Sequence, residues 1–86
     1  MSKRQFIIYD LEATCWRSPK PRKVEIIEIG AVKVNENLEI IDEFSEFILP
    51  VVHPKIDKFC TKLTSITQED VDPADNFNIV VKRFEE

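Results

Sequence analysis

Asp10 and Glu12, two residues apart after the apolar run Phe6-Ile7-Ile8-Tyr9, are the residues here whose types and spacing point first to chemistry. On a β-strand alternate side chains share a face, so the two carboxylates project the same way and Leu11 the other. They sit about 7 Å apart along the strand, and like charges at that distance repel unless a cation lies between them. Oxygen ligands of this kind suit a hard divalent cation, magnesium or manganese. The alternative is a pair of solvated charges where a strand reaches the surface. A short Asp-x-Glu pattern does not by itself decide between the two.

The remaining residues must hold this pair in place, and their number limits how. Eighty-six residues make one small domain or part of a larger one. A chain of this length buries only about 60–65% of its unfolded surface, so its core is thin. With 43% apolar and 33% charged residues the composition is globular. A net charge of −4 argues against gripping nucleic acid by bulk charge. It leaves open an enzyme that meets phosphate through bound cations. Cys15 and Cys60 form no CxxC pair, which favours free thiols in a reducing, cytoplasmic setting. No apolar run is long enough to suggest a membrane span, and the start Met1-Ser2-Lys3-Arg4 lacks a signal-peptide core.

The pattern predicts a first strand over 5–10. A loop follows over 15–23, where Pro19 and Pro21 forbid regular structure and Arg17, Lys20, Arg22 and Lys23 gather positive charge. A second strand over 24–35 contains the sole glycine, Gly30, which suggests a bulge or a close backbone approach. Asn35-Glu36-Asn37 reads as a hairpin turn before a third strand over 38–49. A short helix is expected near 56–62. Thr67-Gln68-Glu69-Asp70 resembles a capping box opening a turn that Pro73 closes. Asp75 is a candidate cap for a last helix over 76–86, with Phe77, Val80, Val81 and Phe84 on one stripe. Three strands and a helix would leave the first strand at an open apolar edge, so the chain reads as the front of an α/β domain.

Taken in order, these segments resemble a known type. Phe6-Ile7-Ile8-Tyr9-Asp10-Leu11-Glu12-Ala13-Thr14-Cys15-Trp16 is similar to the first motif of the DEDD 3′–5′ exonucleases of the DEDDh kind. The nearest subgroup trims RNA 3′ ends and influences RNA interference. Glu25-Ile26-Ile27-Glu28-Ile29-Gly30-Ala31 resembles that family's second strand. Phe44 to Pro50 with His53-Pro54 resembles the third strand and its exit. Phe59 to Val71 is similar to the segment around Leu-Thr-Gly-Ile-Thr.

The resemblance implies a ribonuclease H-like fold of which residues 1–86 form the N-terminal part. It also implies two-metal hydrolysis of the terminal phosphodiester, with two magnesium or manganese ions per complete site, one activating water and one stabilising the leaving oxygen. Asp10 would bridge both ions and Glu12 would hold the one that prepares the water. Leu11, Ala13, Thr14, Leu63, Thr64 and Ile66 would border the terminal nucleotide, although Leu63 and Ile66 read equally well as core anchors. The family's two further aspartates and its general-base histidine have no match here. His53, in a His-Pro turn, is not in the catalytic position, and the chain alone is expected to be inactive. Ser65 stands where the family usually has glycine, a costly exchange if that position needs a positive φ or lets a base approach closely.

The partner implied is a single-stranded nucleic acid 3′ end, RNA favoured by subgroup likeness, with no membrane. A homo-oligomer through the exposed strand edge is a further possibility. The other reading is a non-catalytic module that binds nucleic acid or protein with the front half of the fold. Several residues keep two readings. Trp16 stacks on a base or packs its loop. The basic loop steers phosphate or is simply solvated. Glu25 and Glu28 have opposite parity along one strand, and Glu28 either supports the acid pair or is solvated. Cys15 is not read as a nucleophile, since no base adjoins it.

Overall fold

A computed structural model describes residues 4–18 and 20–85. Three antiparallel strands, β1 (Gln5–Ala13), β2 (Ile26–Asn35) and β3 (Ile40–Phe47), form one sheet in the order β1-β2-β3. Three helices follow, α1 (Lys58–Thr64), α2 (Gln68–Val71) and α3 (Phe77–Glu85). Pro19 and Glu86 lie outside the described residues. No helix is long and apolar enough to cross a membrane among the described residues.

The hairpin between β2 and β3 is built on Asn35. Its Oδ1 accepts from the backbone N–H of Asn37 (2.9 Å) and Glu39 (3.0 Å), and Leu38 takes the left-handed conformation at φ 63°. β1 runs three residues further than the sequence pattern suggests, because β2 offers ladder partners as far as Ala13, opposite Ile26. Glu12 therefore sits inside the strand with Asp10 rather than beyond its end. β2 starts later than expected, at Ile26, and β3 is shorter at both ends.

The expected irregularity at Gly30 is not there. Gly30 pairs in register with Asp10 and Ser45, has no positive φ, and an added Cβ would meet nothing within 4 Å. The bulge that flanks the acid pair lies at Glu12/Ala13, where Ile27 is the extra residue between Ile26 and Glu28. An extra residue lets two neighbours face the same way. Ile27 and Glu28 do so, and the two halves of the core follow from it. Ile27 joins Cys60, Ile66 and Val71, with Cys15, Phe47 and Ile56 against them, under α1 and α2. Ile29, Ile48 and Val80, with Ile26, Phe44 and Phe84, form the second cluster under α3 on the opposite face.

Each helix end has an identifiable cause. Asp57 caps α1 by accepting from the Phe59 N–H (2.9 Å). Ser65 ends α1 at φ 68°, its N–H bonding the Thr61 carbonyl. The Thr67–Asp70 capping box forms in both directions. Asn76, not Asp75, caps α3: its Oδ1 accepts from the Ile79 N–H (3.1 Å). Asp75 is otherwise engaged, with its carbonyl taking the Leu49 N–H and its carboxylate taking Arg83. On α3 the stripe buries Val80 and sets Phe84 edge-on to Phe44 at 5.3 Å, while Phe77 remains exposed.

Candidate active site

In an antiparallel ladder directly paired residues share a face. Asp10 opposite Gly30, and Glu12 opposite Glu28, therefore place three carboxylates on the face that α1 and α2 cover at one end. Among the described residues neither Asp10 nor Glu12 has an ion-pair partner, since the only salt bridges are those of Arg83. The backbone N–H of Leu11 donates to Asp10 Oδ1 at 3.0 Å. Burial, and then the charges of Glu12, Asp10 and Asp70, push the Glu28 carboxyl above the usual range. Glu28 thus belongs with the pair. The sequence left Glu28 open between supporting the pair and being solvated, because the long loop 14–25 leaves the β1–β2 register undetermined.

Glu25 has a different task that no sequence motif announced. Its carboxylate accepts three backbone N–H groups, from Val51 (2.7 Å), Val52 (2.9 Å) and His53 (3.0 Å). Burial would raise this carboxyl, but the three donors outweigh it and hold it below the ordinary range. The result clips the exit of β3 to the start of β2. His53 then meets Trp16 edge-on at 5.2 Å, so the two rings pack against each other.

The residues expected around the terminal nucleotide separate into distinct environments. Leu11 pairs with Ile29 and so faces α3, away from the acid pair; only its backbone stays near Asp10. Ala13 offers its carbonyl to Cys60 Sγ (3.6 Å). Thr14 is 3% exposed and its Oγ1 accepts from the Glu25 N–H, so its side chain is a buried joint. Thr64 donates to the Cys60 carbonyl and accepts from the Ile66 N–H. Ile66, 3% exposed, is core, and Leu63, 67% exposed, is free on the surface. The Cys60–Ala13 contact docks α1 against the end of β1 beside the acids. The Cys15 thiol, pushed up to about 11 by burial and by Cys60, is unsuited to nucleophilic work.

The donor set Asp10, Glu12 and Glu28 is all carboxylate oxygen, on one face, with no cationic side chain paired to Asp10 or Glu12 among the described residues. It fits a hard divalent cation in chemistry. Among the described residues no group of three such side chains is arranged to hold a metal by itself.

A twisted antiparallel sheet with helices on both faces and carboxylates on its first strand defines the front of a ribonuclease H-like nuclease domain. Comparison supplies the family: a family model described as exonuclease, of the RNase T kind, matches residues 7–86. The chain belongs to that exonuclease family. It is 43% identical over 86 residues to ERI1 exoribonuclease 2 of Xenopus laevis, covering 94% of this chain and 12% of that protein. It is 44% identical over 78 residues to human 3′-5′ exoribonuclease 1, covering 88% of this chain and 22% of the relative. The nuclease domain of 3′hExo, a DEDDh family member solved bound to rAMP, superposes with a TM-score of 0.89 at 40% identity. That match covers 94% of this chain and 42% of the 3′hExo chain. A 3′-exonuclease solved in 3′-end-specific recognition of a histone mRNA stem-loop matches with a TM-score of 0.88 at 40% identity, over 93% and 28% of the two chains. The chain thus spans a minor part of each of these relatives.

Proposed function

We propose that this chain carries the first ligand pair of a divalent-metal-dependent 3′–5′ exonuclease that hydrolyses terminal phosphodiesters of single-stranded RNA. The observation that carries this reading is the placement of Asp10 and Glu12 on one sheet face, with no ion-pair partner among the described residues, inside a region that matches exonucleases from residue 7 to residue 86. Asp10 and Glu12 would hold magnesium or manganese, two ions in a complete site. Bound there, the ions would supply Lewis-acid activation of water and neutralise charge on the leaving oxygen. The chain's own residues orient the carboxylates. The β1–β2 ladder fixes their face, the bulge at Ile27 brings Glu28 alongside, and α1 closes the end of the strand. Of the residues expected around the terminal nucleotide, Leu63 is exposed and so free to contact it. RNA is favoured because the relatives named above are exoribonucleases.

With only part of the ligand set, the 86-residue polypeptide alone should not trim RNA. The test is incubation with magnesium and a 3′-labelled oligonucleotide. Processive trimming at catalytic amounts, abolished by Asp10→Ala, would show that this ligand set suffices and overturn the reading. The free thiols suit a reducing cytoplasmic setting. The uncovered edge of β1 also supports self-association of this polypeptide.

A further inference from the structure

Loop 14–25 leaves β1 directly after the acid pair and carries mostly the opposite charge. Between residues 15 and 24 it holds Arg17, Lys20, Arg22 and Lys23 and no acid, in a chain of net charge −4. Two of these cations are fixed in place. The Arg22 guanidinium lies over the Trp16 ring, 4.9 Å from its centre, and that of Arg17 over Phe59 at 5.4 Å. Among the described residues neither forms a salt bridge. The platform beneath them is itself braced. Trp16 rests edge-on against His53, whose backbone is held by Glu25. Gln68 accepts from the Ile56 N–H and donates to the Pro54 carbonyl. An open groove of about 750 Å³ runs beside Trp16, bordered by His53, Lys55, Asp57, Lys58 and Gln68.

A guanidinium laid on an aromatic ring keeps its charge and its in-plane N–H donors, and it has already given up much of its rotamer freedom. Binding an anion then costs less ordering entropy than at a free side chain. The planar fork matches phosphate oxygens. From Glu12 to Arg17 is five residues, no more than about 18 Å at full stretch, so a phosphate held here belongs within a few nucleotides of the acid pair.

We infer that Arg17 and Arg22 form a two-point clamp for the sugar–phosphate backbone of a single strand, upstream of the 3′ end that reaches Asp10 and Glu12. The direction of the strand rests on the exonuclease reading; the clamp itself needs no divalent cation.

The 86-residue chain, its fold checked by circular dichroism, is titrated with fluorescein-labelled oligouridylate in EDTA at several salt concentrations. Binding is read by anisotropy and by the emission of Trp16, the sole tryptophan. Arg17→Ala/Arg22→Ala should weaken binding about tenfold or more. It should also lower the slope of log K against log salt by about 1.4, or about 0.7 for each single-strand phosphate lost. Lys20→Ala/Lys23→Ala, which removes equal charge, should cost distinctly less, and Arg22→Lys should fail to restore affinity. Equal losses in the two double variants, an unchanged salt slope, full function in Arg22→Lys, or equal competition by polyglutamate would each overturn the clamp. Asp10→Asn/Glu12→Gln should bind the oligonucleotide in EDTA at least as well as the wild type while losing Mn²⁺ binding. Failure of the acid-pair reading is thereby separated from failure of the clamp.

Discussion

Glu25 shows how much one side chain can do without being part of the chemistry. Its depressed carboxyl means that its contribution to stability is complete above the ordinary glutamate pKa of about 4.3 and is lost as pH falls through and below that value. Partial exposure limits the three bonds together to about 1–2 kcal/mol. Glu25→Gln should lose that amount at pH 6 and should flatten the acid limb of a urea-unfolding series; an unchanged acid limb contradicts the assignment. Ser65 is the second such residue. Its φ of 68° is a conformation that costs an L-residue about 1 kcal/mol, so Ser65→Gly should raise stability by about 0.5–1 kcal/mol in the same assay. The sequence resemblance singled out this position for a positive φ or a close approach of a base, and the positive φ is present. It could not reveal Glu25, whose donors lie some 26 residues away in the chain. At Cys15, with a pKa near 11, alkylation by iodoacetamide at pH 8 should run roughly a hundredfold slower than at an unperturbed thiol. Reaction at the free-thiol rate would mean that the Cys15–Cys60 contact does not form.

The elements were legible to different degrees, and the differences have physical reasons. The Asn35-Glu36-Asn37 turn separates β2 from β3, and the capping box marks the start of α2, because these signals are local. The extent of β1 and the position of the bulge depend on which residues of β2 lie opposite. Loop 14–25 is too long to fix that register, so Gly30 drew attention that belonged to Ile27 and Glu28. The cap of α3 is a similar case. Asp75 and Asn76 are both good caps by type, and Arg83, bound to Glu46 and Asp75 from the far end of the helix, decides between them. Asn76→Ala should therefore cost about 1 kcal/mol in chemical unfolding. A neutral Asn76→Ala would return the cap to Asp75.

The whole molecule is elongated. Its radius of gyration is 15.2 Å, where a compact chain of this length would have about 12 Å. The excess comes from a sheet whose helices cover one end while β1 stays open on both faces, with Ile7 and Ile8 each 58% exposed and Tyr9 61%. Apolar surface of this kind on an unpaired edge associates. Analytical ultracentrifugation of the 86-residue chain should show concentration-dependent self-association weakened by Ile8→Lys, and a single monomer at every concentration would contradict that expectation. The central claim is that Asp10 and Glu12 form part of a divalent-cation site, and paramagnetic broadening by Mn²⁺ in amide NMR spectra tests it most directly. Substoichiometric Mn²⁺ should broaden Asp10, Glu12 and Glu28 before other acidic residues and should spare them in Asp10→Asn/Glu12→Gln. Broadening spread evenly over the acidic surface, or unchanged in that variant, would contradict the account.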